Sequence, residues 1–140
     1  MRQTVLAFAA ALTAFAAAAA GAADLAACYQ AAGDDLTKKT ECLKQEAEAV
    51  DAEYDEAAEK VLAEMKSIDK AESGKKCWKS MLAAHQAFST YVKRECAAAA
   101  EAEVSSAVGA ENTELACRIN LQRMRTDMLK TRYLSKSSKK

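Results

Sequence analysis

The chain has 140 residues, with 20 basic and 20 acidic side chains, one histidine, no proline and five cysteines. A formal net charge of zero excludes binding to polyanions through overall charge, and one histidine leaves little acid-base chemistry near neutral pH. Once an apolar leader is set aside, the length suffices for one small domain and not for two.

The leader comes first. Residues 1–4 carry one basic side chain, residues 5–20 are an almost unbroken run of Val, Leu, Ala and Phe, and Gly21, Ala22 and Ala23 are small. This is the pattern of a secretory signal peptide spanning residues 1–23, cut before Ala23 or Asp24. A retained membrane span is the rival reading, but alanine inserts weakly and no second apolar segment follows. Leu25-Ala26-Ala27-Cys28 also fits the site at which bacterial lipoproteins are cut and acylated, which would attach the chain to a membrane through Cys28. Asp24, however, interrupts the approach from the apolar run.

Beyond the leader, absence of proline and abundance of Ala, Glu and Lys favour long helices. Gly33, Gly74 and Gly109 punctuate them, giving a short segment at residues 24–32 and long ones at 35–68, 75–104 and 111–134. In the second segment Leu43, Ala47, Val50, Tyr54, Ala57, Val61, Met65 and Ile68 recur every three or four residues as one apolar stripe. Trp78, Met81, His85, Phe88, Val92, Cys96 and Ala99 form the stripe of the third, widened by Leu82 and Tyr91. Cys117, Leu121, Met124 and Met128 form that of the fourth. The expected fold is all-α: a small antiparallel up-down-up bundle of three long helices with a short N-terminal helix packed on it, over residues 24–134. Residues 135–140 form a basic tail with no apolar residue, expected to be disordered.

Charge is unevenly spread. Residues 24–64 hold 12 acidic and 4 basic side chains, whereas residues 118–140 hold 8 basic and 1 acidic. The two regions can attract each other within the bundle, or attract partners of opposite sign.

In an exported chain, thiols near helix ends are expected to pair. A bridge from Cys28 to Cys42 would span the Gly33 turn and one from Cys96 to Cys117 the Gly109 turn, each worth roughly 3 kcal/mol in the chain-entropy model. With one thiol left free, five cysteines allow fifteen two-bridge arrangements, and spacing does not choose among them.

Three motifs surround these cysteines. Cys42 is followed after eight residues by Asp51-Ala52-Glu53-Tyr54. The stretch Gln86-Ala87-Phe88-Ser89-Thr90-Tyr91-Val92-Lys93-Arg94-Glu95-Cys96 leads into the fourth cysteine, and Cys117-x3-Leu121-x3-Arg125-x3-Leu129 closes the series. In order and spacing they resemble the Cys-x8-Asp-Ala-Glu-Leu, Arg-Ala-Trp-x-x-Tyr-Arg-x-x-Glu-Cys and Cys-x3-Leu-x3-Arg-x3-Leu motifs of the LprI-like family, exported bacterial proteins that include lysozyme inhibitors. The resemblance covers residues 28–129. It departs at Phe88, where the family has Trp, at Val92, where it has Arg, and at Cys77, which has no usual counterpart. It implies a disulfide partner for Cys28, and a non-enzymatic binding protein directed at a lysozyme or related cell-wall hydrolase.

The residues themselves offer little competing chemistry. His85 lies on an apolar stripe, where a packing role is expected. The glycines are isolated, so no phosphate loop forms, and Ser80 and Ser89 lack a nucleophile elbow. No cofactor and no nucleic-acid partner is expected. Met65, Met81, Met124, Met128, His85 and Cys77 are soft donors that would suit copper(I) if they faced one interior, although methionines at helical spacing are ordinarily core filler. Cys77 is the odd thiol, expected to stay free in a monomer or to link a dimer. Asp51, Glu95 and Arg125 fall within the motifs beside the stripes, and Arg125 is expected to pair with one of the two acids. An envelope adaptor bundle is the alternative function.

Overall fold

The computed structural model describes residues 25–103 and 106–135. The expected leader, Asp24, residues 104 and 105, and residues 136–140 of the expected tail lie outside the described residues. Four α-helices follow in order: α1 (Leu25–Ala32), α2 (Leu36–Ala71), α3 (Cys77–Ala102) and α4 (Ala107–Leu129), the last running on into a π-helical turn, Lys130–Leu134. The expected disulfide-bonded helical bundle is what forms.

Local signals set most boundaries. Gly33 takes φ +54°, a conformation that side chains rarely adopt. Its N–H bonds the Tyr29 carbonyl to close α1, as glycine does at many helix ends. Asp35 then caps α2, its carboxylate accepting from the N–H groups of Thr37 and Lys38 at 3.1 Å each. At the other end of α2, Gly74 turns the chain with φ +94°. Asp69 reaches across this turn to accept from the N–H groups of Cys77 and Trp78 at 2.8 and 3.0 Å. One carboxylate thus caps the next helix as well as belonging to its own. Those donors, that of Trp78 foremost, hold its pKa below the usual carboxylate range, because hydrogen bonds to the charged form favour it. Gly109, expected at a turn, sits inside the first turn of α4. The break falls at Ser106, whose hydroxyl accepts from Gly109 N–H at 3.0 Å and so caps the helix.

At 36 residues α2 is the spine, and its helical rise makes it about 54 Å long. Of its buried residues, Thr40, Leu43, Ala47, Val50, Tyr54, Ala57 and Val61 alternate steps of three and four, the period of a coiled-coil seam, with Glu46 and Ala58 buried beside that row. The buried residues of α4 are Asn112, Leu115, Ile119, Thr126 and Leu129, which follow the same period. The Thr40 hydroxyl donates to Asn112 Oδ1 at 2.7 Å, an offset of 72 residues. Carried along the seam, that offset sets Leu43 level with Leu115, Ala47 with Ile119, Val50 with Gln122, Tyr54 with Thr126 and Ala57 with Leu129. α2 and α4 are therefore parallel and in register, with α3 antiparallel to both, as an up-down-up bundle requires.

Ion pairs flank the seam as they do in parallel coiled coils. Asp51 pairs with Arg118 at an offset of 67 residues. Glu46 pairs with Arg123 at an offset of 77 residues. The two offsets lie equally far on either side of the core value of 72. Lys44 with Glu111 continues the first rail one heptad earlier, and Glu53 with Lys130 continues the second one heptad later. The acidic and basic regions of the sequence therefore attract each other inside the bundle.

This register corrects the reading of α4. The buried face is not Cys117, Leu121, Met124 and Met128. Met124 is 68% exposed and Met128 also faces outward, while Asn112 and Thr126 are inside. Tyr91, expected to widen the α3 stripe, is likewise exposed.

Disulfides join Cys28 to Cys42 with a Cα–Cα distance of 5.6 Å and Cys96 to Cys117 with one of 5.4 Å. Both distances are ordinary for such bridges. The first pins α1 to α2, the second α3 to α4. Two bridges in so small a domain suit an oxidising, exported setting. Among the described residues no helix is long and apolar enough to cross a membrane.

Candidate functional site

Midway along the bundle the dry seam gives way to a polar waist. Tyr54 of α2 is buried, and its hydroxyl lies 3.1 Å from Nδ1 of His85 on α3. Phe88, one turn further along α3, packs against the Tyr54 ring at a centroid distance of 5.5 Å. From α4, the Arg125 guanidinium lies over the Phe88 ring, 5.6 Å from its centroid, a cation–π distance. All three long helices thus meet on one aromatic-imidazole cluster.

Burial drives the electrostatics here. Desolvation, helped by the positive charge of Arg125, holds His85 below its usual pKa, so the imidazole is neutral near pH 7. Desolvation pushes the Tyr54 hydroxyl above its usual value, since burial disfavours the phenolate. His85 Nε2 is buried without a protein partner, as are Gln122 Oε1, Thr126 Oγ1, Arg125 Nε, Asp51 Oδ1 and Arg118 Nε. These atoms concentrate at the waist, whereas the seam nearer α1 has its polar pair, Thr40 and Asn112, bonded.

Two clefts open beside this cluster. One, of about 470 Å³, lies between α2 and α3 and is lined by Tyr54, Asp55, Ala58, Glu59, Leu62, His85, Gln86 and Ser89. The other, of about 220 Å³, lies where all three helices meet and is lined by residues that include Phe88, Val92, Lys93, Cys96, Glu114 and Arg118.

The expected ion pair does not form. Asp51 bonds Arg118 at 3.0 Å rather than Arg125. The register explains it: Arg125 lies one heptad beyond Arg118, where the matching position of α2 is Ala58 instead of an acid. Glu95 is exposed on α3 and pairs with neither. Arg125 turns to the Phe88 face and to Met128 Sδ, 3.8 Å away. Cys77 is free and half-buried at the start of α3. The soft donors are dispersed: Met65 and Met81 belong to the apolar cluster around Val61 and Leu129, whereas Met124 and Met128 face outward. Among the described residues no group of three or more His, Cys, Asp or Glu side chains is placed to hold a metal ion.

Sequence reading singled out His85 but missed its partners. The available signal was the shared register of Tyr54, His85 and Phe88 on two stripes, which only the relative height of the helices turns into contact. It also missed Asp55 and Glu59, one helical turn apart at the mouth of the larger cleft.

Compared with protein-family models, with curated proteins and with solved structures, the chain matches none.

Proposed function

We propose that this is an exported, non-enzymatic binding protein that inhibits a basic cell-wall hydrolase of the lysozyme type. The leader expected at residues 1–23 supplies the export route, while the sulfur of Cys28, engaged with Cys42, is not free to carry a lipid; the LprI-like motifs supply the target class. One observation carries the reading beyond them. Glu46, Asp51 and Glu53 direct their charge to α4, but Glu41, Glu48 and Asp55 stand seven residues apart on the outer face of α2, exposed and without ion-pair partners among the described residues. Glu59 extends the row. A rigid helix bearing uncompensated carboxylates attracts a basic protein over a range set by the Debye length, and speeds the encounter.

The test is a cell-wall lysis assay with a lysozyme and the purified, oxidised protein. Inhibition whose association rate falls steeply with added salt is the expected result; full lysis in the presence of excess protein at low salt would overturn the reading.

A second reading, an envelope adaptor dimerised through Cys77, is favoured by the half-buried free thiol. Nonreducing electrophoresis of the native protein distinguishes it, since a disulfide-linked dimer is expected only there.

A further inference from the structure

We infer that the cleft between α2 and α3 receives one long basic side chain, arginine or lysine, from a basic partner protein. The inference rests on the proposed basic target and names the contact by which it would be held. Three features converge on this guest.

The first is an unused acceptor. His85 is 8% exposed and lines the cleft; Nδ1 is engaged by the Tyr54 hydroxyl and Nε2 has no protein partner. A buried ring nitrogen without a partner is costly, and a guest N–H removes that cost. A cationic guest selects the tautomer in which Nδ1–H donates to the Tyr54 oxygen and Nε2 keeps its lone pair. The second is charge at the mouth. Asp55 and Glu59 line the same cleft, are exposed, and have no ion-pair partner among the described residues, unlike Glu46, Asp51, Glu53 and Glu56 nearby on the same helix. The third is shape. Ala58, Leu62 and the Tyr54 ring give apolar wall for a methylene stem, while Gln86 and Ser89 add polar lining. A volume of about 470 Å³ is within the range of small-ligand sites and accommodates one such side chain. Arg125, the cation whose charge reaches the imidazole, approaches from α4 over Phe88 and does not line the cleft.

His85 is the only histidine in the chain, so its imidazole nitrogens are unambiguous reporters by ¹⁵N NMR. The probe is N-acetylarginine methylamide, with sodium chloride as the ionic-strength control. The expected result is a saturable shift of His85 Nε2 with the arginine derivative and none with salt. Asp55→Asn combined with Glu59→Gln should abolish that shift, and helicity should be unchanged because both side chains are exposed. The same double variant should weaken lysozyme inhibition by at least about tenfold. An imidazole that does not respond to the arginine derivative, or inhibition untouched by the double variant, overturns the cleft assignment. Absence of inhibition by the unmodified protein, with the imidazole still responding, overturns the hydrolase target and leaves the cleft standing.

Discussion

The seam between α2 and α4 has two characters. Toward α1 it is dry and tightly held: Cys28, Leu43, Ala47, Val50, Leu115 and Ile119 form one apolar cluster, and its polar layer, Thr40 with Asn112, is hydrogen bonded. At the waist, Tyr54 stands level with Thr126, several polar atoms have no protein partner, and clefts open on the surface. Stability concentrates where apolar layers are complete and covalently clamped. Clefts open where they are incomplete, and the recognition proposed for the waist turns on that difference, because unsatisfied buried groups are what a guest can satisfy.

The sharpest way to break this contrast is to cut the dry layer. Ile119→Ala removes a fully buried side chain and is expected to cost about 4 kcal/mol in denaturant unfolding. Thr126→Val at the waist, equally buried, removes a hydroxyl without a partner and should be neutral or slightly stabilising. Equal losses at the two sites would erase the distinction. Replacing Cys28 and Cys42 together with serine opens the first bridge. That change should cost about 3 kcal/mol and leave the helices of the waist formed.

The ion-pair rails sharpen the contrast further. The Glu46 side chain is 2% exposed and that of its partner Arg123 is 28% exposed. Glu46→Gln is therefore expected to cost roughly 2 kcal/mol, because the charge-assisted bond from Arg123 to a buried carboxylate is lost. The side chains of Asp51 and Arg118 are each 38% exposed. Asp51→Asn should cost less than about 1 kcal/mol, as solvent screens the pair. Thermal melts of the two variants at low and high salt would rank them. The same order should hold in both salts if burial decides the difference.

The smallest effect is the pH dependence of the waist. His85 has a lowered pKa in the fold, so as pH falls below the unfolded value of about 6.5 the unfolded chain takes up the proton first. Its contribution is therefore constant above that value and is lost as pH falls toward the folded pKa. Urea midpoints across this window should slope downward with acid in the unmodified protein and more weakly in His85→Gln. Identical slopes would remove burial of the imidazole as the cause.

Much of this was legible in the residues. The α2 stripe, the short α1 ending at Gly33 and the up-down-up order follow from periodicity and punctuation, whereas the two bridges were one of fifteen arrangements that cysteine spacing left open, and the resemblance implied only that Cys28 has a partner. The face of α4 was not legible, because its two sides are nearly matched. Leu121, Met124 and Met128 are as apolar as Leu115, Ile119 and Leu129, and the inward side includes Asn112, Gln122 and Thr126. The mispairing of Arg125 has the same origin. Motif membership offered it Asp51 or Glu95, but Asp51 bonds Arg118, one heptad before Arg125, and Glu95 is exposed on α3.

Composition, helical period and cysteine spacing are properties of single segments, and they sufficed to determine an all-helical domain with cysteines at its corners. Which side of α4 turns inward, which acids are neutralised by Arg118, Arg123 and Lys130, and which stay exposed as Asp55 and Glu59 do, depend on how far one helix slides along another. That height is set by the sum of layers and rails between α2 and α4. No single segment contains it, so it exists only in the folded chain.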